Sequence, residues 1–170
     1  MRTFIPVALT GLVATPAAAA NINLTVEIPQ LPVAEYHRPY VAAWLENTGQ
    51  PTVTNLAVWY DLHKRGGEGQ KWLRDLRTWW RKSGRTQSLP IDGVTGATRA
   101  PGPQRLGFTP GKAPLQKLAP GNYELVVEAA REVGGREVVR IPFQWPPKAA
   151  QSLSANGKAE LGRVAIDLKP

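Results

Sequence analysis

Apolar residues recur along this chain in short runs, often at every second position, punctuated by Pro, Gly and Asn. Asn23-Leu24-Thr25-Val26-Glu27-Ile28 alternates polar and apolar, the pattern of a half-buried strand, and Pro29 and Pro32 end it. Tyr40 to Glu46 forms a second run, stopped by Asn47-Thr48-Gly49. Val53 to Leu62 forms a third, rich in the β-branched and aromatic residues that favour strands. Tyr123 to Glu128 and Val138 to Trp145 flank Gly134-Gly135, a hairpin signal, and Asn156-Gly157 marks a turn before a last strand over Glu160 to Leu168.

One segment breaks this rhythm. From Lys71 to Lys82 the apolar residues are Trp72, Leu73, Leu76, Trp79 and Trp80, a spacing that predicts one face of a helix of about three turns. Gly69 precedes it and Gly84 stops it, while Lys71, Arg74, Arg77, Arg81 and Lys82 occupy the opposite face. From Ser83 to Pro120 the chain is rich in Gly and Pro and shows little periodicity. A loop of that length within one domain points to function or to elements hidden from the pattern. Together these elements predict an all-β fold: an immunoglobulin-like antiparallel β-sandwich with one short amphipathic helix and a long Gly/Pro-rich loop.

Composition narrows the chemistry. The 170 residues fit one domain, and the absence of cysteine excludes disulfide scaffolds, thiol catalysis and Cys-ligated metals. With only His37 and His63, a multi-His metal site is not expected, and neither histidine is assigned a role. Asp61-Leu62-His63 has no Ser partner in a nucleophile elbow, so no hydrolytic triad is expected. The net charge of +8 suits an anionic surface or an acidic partner. No nucleic-acid motif accompanies it, and nucleic acid is not expected as a partner.

The first residues carry an address. Arg2 is followed by an apolar stretch from Phe4 to about Val13 and then by small residues, with Ala18 and Ala20 placed for cleavage after about Ala20. The expectation is a signal peptide over residues 1–20, export through the general secretion route, and a single domain over 21–170 in the periplasm.

Within the Gly/Pro-rich segment, Ile91-Asp92-Gly93-Val94-Thr95-Gly96-Ala97-Thr98-Arg99 sets a carboxylate, a flexible turn and a hydroxyl among small residues. Gly96 and Ala97 leave the approach to Thr98 open, so the loop can enter another protein's active site in extended form. It can equally be a plain turn in which Asp92 bonds its own backbone. Asp-x-x-Thr-Gly-Ala-Thr resembles the acceptor motif of the FMN transferases that flavinylate exported bacterial proteins. In those systems a magnesium-dependent transferase cleaves FAD and joins FMN to the last Thr or Ser of the motif. The resemblance implies Asp92 as the motif acid, Thr95, Gly96 and Ala97 as its middle, and Thr98 as the flavin-bearing residue.

Longer stretches carry a second resemblance. WLRDLRTWWRKSG (72–84), DGVTGATRAPG (92–102), YELVVEAARE (123–132) and ELGRV (160–164) are similar to a family of predicted periplasmic proteins, domain of unknown function 2271. Members of that family appear beside membrane PepSY-type reductases and flavin transferases. The resemblance therefore implies a carrier that exchanges electrons with a membrane reductase and has no catalytic activity of its own. Trp80, with Trp72 and Trp79, offers apolar surface for a flavin ring or else fills the core. Arg99 offers a partner for the FMN phosphate or is a solvated loop charge. The alternative is a cofactor-free periplasmic adaptor whose basic helix binds a protein partner or makes peripheral contact with the membrane.

Overall fold

A computed structural model describes residues 20–170, so the expected signal peptide, but for Ala20, lies outside the described residues. The described residues form nine strands, β1 (Asn21–Ile28), β2 (Tyr40–Asn47), β3 (Val53–Tyr60), β4 (Thr95–Ala97), β5 (Gly102–Phe108), β6 (Gly121–Ala130), β7 (Arg136–Trp145), β8 (Gln151–Asn156) and β9 (Arg163–Lys169). They assemble as a four-stranded sheet in the order β5-β1-β9-β8 and a five-stranded sheet in the order β4-β3-β2-β6-β7. The result is an all-β sandwich.

Alternation decides the facing of the smaller sheet. Ile22, Leu24, Val26 and Ile28 of β1 and Val164, Ile166 and Leu168 of β9 point into the core, where they meet Val41, Ala43 and Leu45 of β2 and Leu125 and Val127 of β6. In the larger sheet β2, β3 and the second half of β6 are buried on both faces, whereas β7 alternates. Ala42, Trp44, Val58, Tyr60 and Val126 turn outward into a second apolar cluster with Leu73, Leu76 and Trp79. This double burial explains why β2 and β3 read as nearly continuous apolar runs. A bulge between β2 and β3 pairs Trp44 with Asn55 and Ala43 with Ala57, which places Leu56 as the extra residue. Leu56 and Ala57 both join the inner core, and Asn55 faces the outer cluster, where it accepts a hydrogen bond from Trp79 Nε1 at 2.8 Å.

Five features depart from the sequence expectation. The segment from 83 to 120 is not one loop, because β4 and β5 lie in it. β8 was not signalled either, and the last strand begins at Arg163 rather than Glu160. β4, β5 and β8 are all edge strands with a single neighbour, so each needs little apolar alternation, and Pro103 is tolerated in β5 for the same reason. The sheets are antiparallel except at β3–β4, which pair in parallel. The predicted continuous helix is broken: α1 (Glu68–Lys71) leads through a 3-10 turn at Trp72–Asp75 to α2 (Arg77–Lys82), with Leu76 at φ −74° and ψ 70° between them.

Candidate functional site

The helical segment is anchored first, and it positions the loop behind it. Leu73, Leu76 and Trp79 are fully buried on the outer face of the larger sheet. Glu128, itself fully buried on β6, accepts the backbone N–H groups of Thr78 at 3.1 Å and Trp79 at 2.8 Å, the free donors at the start of α2. Arg136 Nη1 donates to the same carboxylate at 2.7 Å. Gly84 lets the chain pass against the Trp79 ring, where a Cβ would sit 2.5 Å from Cζ3. The chain then returns to the same apolar cluster through Val94, whose carbonyl accepts the Val58 N–H at 3.0 Å.

Val94 thereby sets the acceptor-like loop on the sheet edge. Thr95 Oγ1 accepts the Ile91 N–H at 2.8 Å, and the Thr95 N–H donates to Ile91 O at 2.9 Å, closing a turn that carries Gly93 at φ +68°. Asp92 is exposed at its tip. Gly96 lies against Trp59, and a Cβ there would be 3.1 Å from the indole Cδ1. Thr98 follows β4, half-buried, with its backbone N–H donating to Tyr60 O at 3.2 Å. Its hydroxyl enters none of the hydrogen bonds found among the described residues. The two threonines of the motif are thus different: Thr95 is engaged in the turn, and Thr98 presents a free hydroxyl at the end of an edge strand.

The neighbouring residues divide. Arg99 is exposed, with its guanidinium carbon 5.2 Å from the Trp59 ring centroid, a cation–π position. Trp80 is half-buried against the outer cluster, as are Leu89 and Ile91. Trp79 is core, but Trp72 is not: it is 52% exposed, because the break at Leu76 and the preceding 3-10 turn carry it off the buried stripe. The basic residues Lys71, Arg74, Arg77, Arg81 and Lys82 are all exposed. His37 makes only a 3.0 Å contact with exposed Glu35 and a 3.9 Å contact with Glu132.

A second feature was not legible. Ala97 pairs with Tyr60, and Tyr40 packs its ring 6.2 Å from that of Tyr60. Tyr40 in turn pairs with Ala130, and Ala130 with Arg136. At this end of the sheet a cleft of about 530 Å³ opens between the helical segment and the β6–β7 turn, with Tyr40, Trp72, Arg77 and Arg131 in its lining. Burial pushes the Tyr40 phenol up, against the opposing effect of a hydrogen bond with the Asp61 backbone. Arg131, its side chain 7% exposed, donates to Glu160 at 2.8 and 3.1 Å. The adjacent glycines serve closeness rather than positive φ: a Cβ on Gly134 would be 2.5 Å from the Arg131 Cζ, and the positive φ of the hairpin falls on Val133. Gly134-Gly135 beside Arg131 and Arg136 was the available signal, but its meaning depends on Glu160, far away in sequence.

A two-layer β-sandwich with a small-residue loop on an edge strand, and a helical segment capping its larger sheet, defines the class. The chain belongs to the family described as predicted periplasmic protein, domain of unknown function 2271, which it matches over residues 21–163. No curated protein and no solved structure matches it.

Proposed function

We propose that this protein is a periplasmic electron carrier with FMN joined by a phosphoester to Thr98. The observation that carries the reading is the Thr98 hydroxyl, half-buried and without a hydrogen-bond partner among the described residues, at the end of an edge strand that carries the small residues Gly96 and Ala97. In the transfer, Thr98 Oγ1 forms a bond to the FMN phosphorus of FAD. The pyrophosphate P–O bond breaks, AMP leaves, and the hydroxyl proton passes to solvent or to a base of the transferase. The flavin supplies one- and two-electron chemistry when bound, and the protein's residues position it and set its access.

Each residue of the loop fits a role in this reading. Thr95 holds the turn, and Gly96 and Ala97 keep the approach narrow in side chains. Asp92 is exposed toward an incoming transferase and its magnesium. Arg99 places a guanidinium one residue from the phosphoester, and Trp80 lends partly exposed aromatic surface on the cluster that also holds Ile91. The partners are an FMN transferase and a membrane reductase of PepSY type. Export with removal of residues 1–20 brings the chain to both.

The test is production with an FMN transferase, followed by intact-protein and peptide mass spectrometry. The expected result is a mass increase of one FMN less water on the peptide holding Thr98, lost in Thr98→Val with the fold kept. An unmodified Thr98 in cells with active transferase, or full flavin retention in Thr98→Val, rejects the reading. A second reading rests on the exposed Lys71, Arg74, Arg77, Arg81 and Lys82 beside exposed Trp72. On it the chain is a cofactor-free adaptor for a protein or the envelope surface, and it takes precedence if Thr98 stays unmodified.

A further inference from the structure

The cleft beside the β6–β7 turn has features that the sandwich does not need. Its volume of about 530 Å³ is in the range of small-molecule sites. Of the large hydrophobics exposed among the described residues, Val33, Leu62, Trp72 and Val133, two line this one cleft, Trp72 at 52% and Val133 at 79% exposure. Val133 also adopts φ 52°, an unfavourable conformation for a β-branched residue, although glycines follow it directly. Its exposure means that burial does not compensate this strain, and strain of that kind concentrates at ligand sites.

The charges around the cleft are of two kinds. Arg136 and Arg131 are neutralised by Glu128 and Glu160. Arg38, Lys64 and Arg77 also line it, and among the described residues none has a carboxylate within 4.0 Å. Asp75 and Glu132 are the acidic lining residues, so cations predominate. Arg131 adds one more element: its Nη1 is buried and has no hydrogen-bond partner. The charge of Arg131 is paired with Glu160, so what this atom offers is an N–H donor with no protein acceptor.

We propose that this cleft binds a small aromatic anion, with the Trp72 indole and Val133 against the ring and Arg38, Lys64 and Arg77 around the anionic group. A flat ring matches an exposed indole, and an anion matches guanidinium groups that have no protein partner. The site is separate from Thr98 and does not depend on its modification.

The test titrates phenyl phosphate and benzoate into the protein, with inorganic phosphate and benzyl alcohol as half-ligands, followed by amide and indole N–H chemical shifts. Saturable binding of either aromatic anion is expected, with shifts at the Trp72 indole and residues 131–136, and each half-ligand at least about tenfold weaker. Trp72→Ala and Arg77→Ala alter exposed side chains, and each should weaken binding about tenfold, as loss of an aromatic contact or a charged hydrogen bond does. Val133→Gly removes a side chain and relieves its φ, so the fold is retained while affinity falls several-fold. No saturable shift with either aromatic anion, or affinity unchanged in all three variants, overturns the proposal. Equal binding of inorganic phosphate overturns the aromatic part of it.

Discussion

Glu128 Oε2 accepts the backbone N–H of Trp79 at 2.8 Å, joining residues 49 apart in sequence. A strand residue thus supplies the N-terminal cap that the helical segment lacks locally: Leu76, at the start of α2, makes no side-chain cap bond. A carboxylate at the first turn of a helix also opposes the positive end of its dipole. Glu128→Leu should therefore free the start of α2 and leave Arg136 unpaired. We expect a loss of about 2–4 kcal/mol, the range for breaking a buried charged network, read as a lower urea midpoint. Near-ultraviolet dichroism should report loosening of Trp79.

Gly84 packs on the same indole. Alanine there brings a Cβ within 2.5–2.9 Å of three ring atoms that cannot retreat, because Trp79 is fully buried and bonded to Asn55. Gly84→Ala should cost about 1–3 kcal/mol in thermal or urea unfolding, as overpacking does. Gly49→Ala, with only the Asn47 Oδ1 at 3.5 Å, should stay near wild type.

The Arg131–Glu160 pair makes a different prediction. Glu160 is 4% exposed and also accepts the Gly135 N–H at 2.7 Å. Arg131→Met removes the countercharge and should destabilise by about 3–5 kcal/mol. Adding Glu160→Leu should recover most of that loss, because an apolar pair needs no solvation. A double-mutant cycle by chemical denaturation measures both steps.

Glu137 controls a pH response. Burial acts to raise its pKa but is outweighed by the backbone N–H groups of Ala159, Leu161, Lys158 and Glu160, so the folded value is lowered from 4.5. A carboxylate with a depressed folded pKa contributes stability that is present above its unfolded pKa and is lost as pH falls through the folded one. The stability gap between wild type and Glu137→Gln should thus be constant at neutral pH and shrink below about pH 4.5 as the carboxylate is protonated in both states. Urea melts at several pH values check this, and a gap that widens on acidification contradicts it.

What could be read from sequence was set by how each element is stabilised. β1, β2, β3, β6 and β7 carry the core, and their apolar residues revealed them. β5 has Leu106 and Phe108 as its apolar residues and leans on β1 for its backbone partners, so its pairing rather than its pattern makes it a strand. The helix pattern was correct for Leu73, Leu76 and Trp79 and wrong for Trp72. The break at Leu76 belongs with a carboxylate on a strand that no local rule could connect to it. At the candidate site, the loop chemistry was visible as residue types, whereas the separate states of Thr95 and Thr98 emerged only from the turn. The cleft joins residues 38 to 136 and has no local signature.

The position of β1 bears on how the protein comes into being. It lies between β5, which ends at Phe108, and β9, which ends at Lys169, so the earliest strand of the fold is held by one of the latest. Pairing Asn21 with Lys169 closes a loop of nearly the whole domain, and such distant closure slows folding. Until β9 emerges, the smaller sheet has no centre, and Ile22, Leu24, Val26 and Ile28 have only part of the surface they will pack against. The smaller sheet is therefore the last part of the sandwich that this order of elements allows to close.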